Sequence, residues 1–346
     1  MNSFTPEEVI FAPTAQCNLN CAHCRVTRVP ELLDLGASLR FLGDCAASGI
    51  DRVGFSGGEP FLRPDFIAGI ARAAVGHGMV FDRLMTNGVW HRNPSDLRAA
   101  LMAVEESGFD GTYGLSIDSW HPQESEKLVQ FIETAFELRG RRDCVEIISV
   151  RAGDETAWEA KLADIVEALG ATLPGVALED GPLEDGEGLP VAAPGEVTAI
   201  SDRAWRERGD EGEDLPEALF VRIIRFDRSF AACPDPEAAG AWKSQGWFKD
   251  DLCAGPGNLF FVHPGGDVAP CCGYANENPG LILGNIATAT FATLMENAAA
   301  SVQVRSCYGT GLGALRTRLG REGHSFPGVT QDQCFFCDYC AKEGLF

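Results

Sequence analysis

From residue 8 to about residue 180, short apolar runs alternate with longer stretches whose apolar positions recur every three or four residues. The runs Val9–Ala12, Arg52–Phe55, Phe81–Met85, Thr112–Ile117, Val145–Val150 and Gly175–Leu178 predict strands. Each is short and apolar, with turn formers nearby. The stretches Glu31–Ala47, Pro64–Gly76, Pro94–Ser107, Glu124–Arg139 and Glu155–Leu169 predict amphipathic helices between them. Such alternation makes a parallel sheet with helices outside. Six units predict an α/β fold, a partial (β/α)6 barrel over residues 1–180. Reactive groups in parallel barrels gather at the C-terminal ends of the strands.

The pattern breaks after residue 180. Asp180 to Gly188 is acidic and turn-rich, and irregular acidic sequence runs from Arg206 to Asp214. Residues 181–245 read as an acidic connector or lid, with a little helix near Glu196–Arg206. Residues 246–346 form a smaller, cysteine-rich C-terminal domain, in which two strand-like runs flank Pro264-Gly265-Gly266-Asp267 as a hairpin.

Composition narrows the classes. A 45% hydrophobic content supports a packed core. No run of 18 apolar residues marks a membrane span, and no secretory signal opens the chain. Thirteen clustered cysteines, an odd number, favour metal ligation in a reducing cytoplasm over disulfides. The formal charge of −22 opposes binding of nucleic acid, which rests on Lys and Arg neutralising phosphates.

The chemistry enters with Cys17-Asn-Leu-Asn-Cys21-Ala-His-Cys24, a C-x3-C-x2-C run. Three such thiolates can ligate three irons of a [4Fe–4S] cluster and leave one iron open to a ligand. A zinc knuckle with a distant fourth ligand is the other reading of this spacing. The second strand then ends at Gly57-Gly58-Glu59-Pro60 and the third at Thr86-Asn87-Gly88. Either alone would be a turn. Together with the cysteine run they resemble the radical S-adenosylmethionine (SAM) superfamily over roughly residues 9–180. His23 stands where that family usually carries an aromatic residue.

The resemblance implies that SAM binds the open iron and is cleaved by one electron to methionine and a 5′-deoxyadenosyl radical, which abstracts a substrate hydrogen atom. It also implies that Gly57, Gly58 and Glu59 contact the methionine amino group. Ser116 and Asp118, on one face of the fourth strand's end, are candidates for the ribose or carboxylate of SAM. A strand-end cap is the other reading of Asp118. Arg151, ending the fifth strand, can pair bidentately with the SAM carboxylate or sit on the surface. A reductase, flavodoxin or ferredoxin would supply the electron.

Downstream, Cys253-x12-Gly266-x4-Cys271 brackets the hairpin, and Cys334-Phe-Phe-Cys337-Asp-Tyr-Cys340 follows near the end. The first half resembles the opening of SPASM and twitch auxiliary-cluster domains, although the C-x2-C-x2-C tail departs from a full SPASM pattern. The resemblance implies one auxiliary [4Fe–4S] cluster on Cys253, Cys271, Cys334 and Cys337, with Cys340 competing for the fourth place. Two clusters are the alternative if Cys272, Cys307 and Cys340 all serve, and a structural zinc is the inorganic one. Cys272 is a candidate hydrogen-atom donor or a packed residue, while Cys45, Cys144 and Cys233 read as structural.

The expected function is net oxidation, by dehydrogenation or cross-linking, of a small molecule or peptide in a biosynthetic pathway. A radical epimerase with a cysteine donor and a non-catalytic iron–sulfur protein are the alternatives. Only sixteen residues precede Cys17, which weakens a peptide-maturation role that needs an N-terminal recognition domain.

Overall fold

In the computed structural model the residues described are 4–141, 143–151, 155–172, 176–179, 197–202, 220–227, 253, 257–324 and 333–346. Cys233 lies outside them.

Five strands run parallel in chain order: β1 (Glu8–Phe11), β2 (Arg52–Phe55), β3 (Val80–Thr86), β4 (Thr112–Ser116) and β5 (Val145–Arg151). The helices α1 (Leu35–Ala47), α2 (Pro64–His77), α3 (Pro94–Glu105), α4 (Ser125–Arg139) and α5 (Glu155–Thr172) alternate with them. All five strands and all five helices fall where the hydrophobic pattern puts them. The start of α1 differs by four residues for a local reason. Leu32 bridges Thr14 and Leu33 donates to the Pro13 carbonyl, so this stretch lies against the cysteine loop. The helix then begins after Asp34, whose carboxylate accepts from Ala37 N–H at 2.7 Å.

The sixth parallel strand is not the one expected. The stretch placed at Gly175–Leu178 forms β6 (Val176–Glu179) at the sheet's far edge, antiparallel to β7 (Val197–Asp202). The strand beside β5 is β8 (Phe220–Asp227), from the stretch read as a connector. The helix expected near Glu196–Arg206 is strand β7 over Val197–Asp202. The run Phe220–Asp227, FVRIIRFD, is rich in the β-branched and aromatic residues that strands favour, but it lacks strict alternation and sits in acidic surroundings.

At the opposite edge the C-terminal part joins the same sheet. Strand β9 (Gly257–Val262) pairs parallel with β1 and antiparallel with β10 (Asp267–Cys271), and β11 (Gly284–Asn285) completes the edge. The helices α6 (Phe291–Ala300), α7 (Val302–Arg305), α8 (Leu312–Arg321) and α9 (Gln333–Lys342) follow. Phe260 of β9 packs against Phe41 of α1 at 5.8 Å, Phe4 at 5.7 Å and Phe291 of α6 at 5.6 Å between ring centroids. One continuous core therefore ties the auxiliary part to the barrel.

Candidate functional site

Because β1 to β5 are parallel neighbours, the segments leaving their C-terminal ends converge. The cysteine loop follows β1, Gly57–Pro60 follows β2, Asn87–Gly88 follows β3 and Ser116 ends β4. They enclose a cleft of about 590 Å³, open to solvent, lined among others by Cys17, Cys21, Cys24, Gly57, Gly58 and Ser116.

The cysteine loop is pinned by backbone contacts at its stem. Gly58 donates to the Thr14 carbonyl at 2.9 Å, and Glu59 to that of Gln16 at 2.8 Å. A Cβ on Gly58 would stand 2.1 Å from the Gln16 oxygen, and Gly57 holds φ +115°. These glycines are thus required by close approach to the loop, in addition to any contact they make with a ligand. Arg28 closes the loop from the other side, donating to the carbonyls of Ala15 (2.7 Å) and Leu19 (3.3 Å).

The thiols suit a soft metal centre. Cys17 Sγ accepts from Asn87 Nδ2 and from Leu19 N–H, both at 3.4 Å, and Arg28 Nη2 lies 3.8 Å from Cys24 Sγ. Burial, with the neighbouring Cys17 and Cys24, pushes the Cys21 thiol up to about 11. Three thiolates brought together repel one another unless iron neutralises them, so the donor set fits an iron–sulfur cluster.

Glu59 is placed differently from the sequence expectation. It is fully buried, and its carboxylate accepts from Phe61 N–H (3.1 Å), Thr86 Oγ1 (2.8 Å) and Asn87 N–H (2.8 Å). It ties the ends of β2 and β3 together beneath the cleft. Burial raises its pKa to about 7 against the pull of those donors.

Asp118 is also turned inward. One oxygen, Oδ1, accepts from Trp120 N–H (2.8 Å), His121 N–H (3.1 Å) and His121 Nδ1 (2.8 Å). Burial opposes its charge, but His121 holds the carboxyl below its usual range. Lys161 Nζ donates to the carbonyls of Asp118 and His121, at 2.9 and 2.7 Å. The result fixes His121 in the cleft wall, against His23 at 4.7 Å between ring centroids. Burial, then His121, lowers the His23 pKa to about 4. One ligand atom each from His23, Asp118 and His121 lies within 4.8 Å of the others. Asp118 Oδ1 is taken up by N–H groups and supports His121, while its buried Oδ2 has no hydrogen-bond partner among the described residues. Ser116 lines the cleft, and its carbonyl accepts from Gln123 Nε2 at 2.8 Å. Arg151 ends β5, opposite Asp227 of β8.

A second, smaller cavity lies in the C-terminal part. Five cysteines line it: Cys253, Cys271, Cys307, Cys334 and Cys337. The hairpin positions Cys271, and Gly266 (φ +89°) makes its turn against Asn285. Cys253 N–H donates to the Cys307 carbonyl at 3.0 Å, and the sulfurs of Cys307 and Cys337 stand 3.8 Å apart. Burial raises the thiols of Cys253 and Cys271, and the facing cysteines add to it. Five converging sulfurs fit an iron–sulfur cluster as a donor set.

Cys340 does not line this cavity, and Cys307 does. Cys334, Cys337 and Cys340 sit on helix α9, where each three-residue step turns the side chain by about 60°. That geometry turns Cys340 off the line of the other two, and it packs fully buried. Cys272 is exposed and outside the cavity lining, while Cys45 and Cys144 are buried in the core. Sequence spacing did not single out Cys307 as a ligand, since no second cysteine stands near it. Arg28 and the Asp118–His121 pairing carried no motif either.

Comparison with known proteins agrees with this geometry. Residues 11–148 match the model of the radical SAM superfamily, and residues 253–314 match that of SPASM, an iron–sulfur cluster-binding domain. GTP 3′,8-cyclase of Chlorobaculum tepidum is 33% identical over 120 residues, covering 33% of this chain and 34% of that protein. PqqA peptide cyclase of Methylorubrum populi is 32% identical over 136 residues, covering 36% and 33%. The chain thus spans about a third of the length of these curated relatives. Among solved structures, Streptococcus suis SuiB bound to S-adenosylmethionine shares the fold at TM-score 0.51 and 13% identity, over 96% of this chain and 75% of SuiB. The anSMEcpe structure with bound AdoMet and Cp18Cys peptide does so at 0.50 and 16%, over 98% and 97%. Two thiol sites on one sheet, the first within the radical SAM match and the second begun within the SPASM match with Cys334 and Cys337 beyond it, give this chain a radical SAM domain and a SPASM-type iron–sulfur domain.

Proposed function

We propose that the chain oxidises an unactivated C–H position of a peptide or small molecule, ending in dehydrogenation or a new ring or cross-link. Its cofactors are a [4Fe–4S] cluster with SAM and an auxiliary [4Fe–4S] centre, which supply reductive SAM cleavage, hydrogen-atom abstraction and an electron acceptor when bound. Cys17, Cys21 and Cys24 hold the first cluster in the open cleft. Gly57 and Gly58 fix the loop's stem, Glu59 braces the strand ends below it, and Ser116 and Arg151 stand at strand ends where SAM's polar groups would lie. Asp118 acts through His121, holding that ring against the cleft.

The observation that carries the oxidative reading is the five-thiol cavity, three of whose cysteines are buried, on the hairpin that pairs with β1, the strand that feeds the first cysteine loop. A buried cluster there, completed by Cys253, Cys271, Cys337 and either Cys334 or Cys307, can take an electron from a substrate radical without exchanging ligands with solvent. Both relatives named above are cyclases, which favours ring or cross-link formation as the outcome. Peptide and small molecule both remain within the reading.

The test is anaerobic reconstitution with SAM, a strong reductant and candidate substrates, in deuterated solvent. Oxidation predicts one 5′-deoxyadenosine per product, a product two hydrogens lighter and no carbon-bound solvent deuterium. A product of unchanged composition that gains one deuterium would establish an epimerase instead. The exposure of Cys272, outside the cavity lining, speaks against its use as the hydrogen donor.

A further inference from the structure

Arg25 follows Cys24 in the chain, and Asp338 follows Cys337. Their side chains meet: Arg25 Nη1 lies 3.4 Å from Asp338 Oδ2, across 313 residues of sequence. The guanidinium also stacks over the Tyr274 ring at 4.8 Å and faces Phe335 at 5.5 Å. Asp338 is only 7% exposed and takes a second cation, Lys342 Nζ, at 2.7 Å. Two residues beyond Arg25, Thr27 donates its N–H to Glu277 Oε1 at 3.0 Å and its hydroxyl to Oε2. The flank of the first cysteine loop is therefore fastened at two points, to the segment after Cys271 and to helix α9.

We propose that these contacts form a clasp through which SAM binding at the first cysteine loop is felt at the auxiliary cysteine cavity, with Arg25 as its positioning residue. The proposal rests on the reading of both cysteine groups as cluster ligands. Its physical basis is short connection. Arg25 is one residue from Cys24, so a displacement of the loop on binding SAM moves the guanidinium directly. Asp338 is one residue from Cys337 on a helix, so a pull on its carboxylate acts on the ligand-bearing turn. A charge pair between a largely buried acid and a stacked guanidinium resists separation far more than an exposed pair does.

The experiment uses the full chain reconstituted with iron and sulfide, in redox titrations followed by electron paramagnetic resonance with and without SAM. In the unaltered protein, adding SAM shifts the midpoint potential or line shape of the auxiliary signal. Arg25→Gln and Asp338→Asn each abolish that shift while both clusters stay bound. The double variant behaves like either single one, as two partners of one contact should. In the cluster-free chain, amide exchange of residues 17–28 rises several-fold in Arg25→Gln. An auxiliary signal that ignores SAM in the unaltered protein, or answers it equally in Arg25→Gln, overturns the proposal. If no cluster forms at the C-terminal cysteines, the cluster reading fails separately. The exchange measurement then decides the clasp, which falls if residues 17–28 exchange alike in both proteins.

Discussion

The first cysteine loop and the auxiliary cavity set the same side chain in opposite surroundings. Cys24 is exposed and Cys17 and Cys21 are half-buried, at the mouth of an open cleft. Cys271, Cys307 and Cys337 are buried around a smaller cavity that also meets Leu281, Leu312 and Tyr308. Three accessible thiols leave a metal centre room for an exchangeable ligand. Five thiols, three of them buried and Cys253 and Cys334 half-buried, can complete one without help. The same contrast separates open catalytic metal sites from closed structural ones. The proposed division of roles, chemistry in the first region and electron acceptance in the second, rests on this contrast.

The largest effect should come from removing the open site. Replacing Cys17, Cys21 and Cys24 together by Ala should lower bound iron from about eight to about four per chain, the content of one cubane. SAM cleavage should vanish. Unchanged 5′-deoxyadenosine production, measured by chromatography, would end the division of roles.

The closed site should respond in the opposite sense. Cys271→Ala or Cys337→Ala should empty the auxiliary cavity, spare SAM cleavage and stop substrate oxidation. Cys307→Ala and Cys340→Ala sharpen the assignment. The first should disturb the auxiliary signal because its sulfur stands 3.8 Å from that of Cys337. The second should leave it intact. Iron loss in Cys340→Ala alone would reverse the choice between them.

Glu59 offers a smaller, pH-dependent test of the scaffold under the open site. Its folded pKa of about 7 lies above the ordinary 4.5. Its stabilising contribution is therefore full below about pH 4.5 and is lost as pH rises through 7. The difference corresponds to about 3 kcal/mol between the two limits. Glu59→Gln should flatten that part of the stability profile, measured by urea unfolding from pH 4.5 to 8. A profile parallel to that of the unaltered protein would show that the carboxylate is not buried as described.

Gly58→Ala should confine its effect to the first loop. Its Cβ would meet the Gln16 carbonyl at 2.1 Å, so the loop stem must move. A cost of about 1–3 kcal/mol is usual for such overpacking. The loss should appear as weaker iron uptake at the first loop with the auxiliary signal unchanged. Equal loss at both sites would mean that the stem supports the two regions alike.

Hydrophobic periodicity was enough to place β1–β5 and α1–α5, because each unit buries a face whose period is written locally. The spacing of Cys17, Cys21 and Cys24 was equally legible, since all three sit on one short loop and need no distant partner. The sixth parallel strand was not. Sheet neighbours are chosen by pairing across the fold, and β8 reached β5 past two antiparallel strands that the alternation could not order. The inward turn of Glu59 and the pairing of Asp118 with His121 depended on donors at the ends of other strands or on a turn's conformation. Cys307 joined the auxiliary cavity from a segment with no cysteine nearby, and Cys340 left it because α9 is a helix. Ligand spacing within a loop is a property of sequence. Which distant sulfurs share a cavity, and which carboxylates face inward, is decided only when packing brings separated segments to one place.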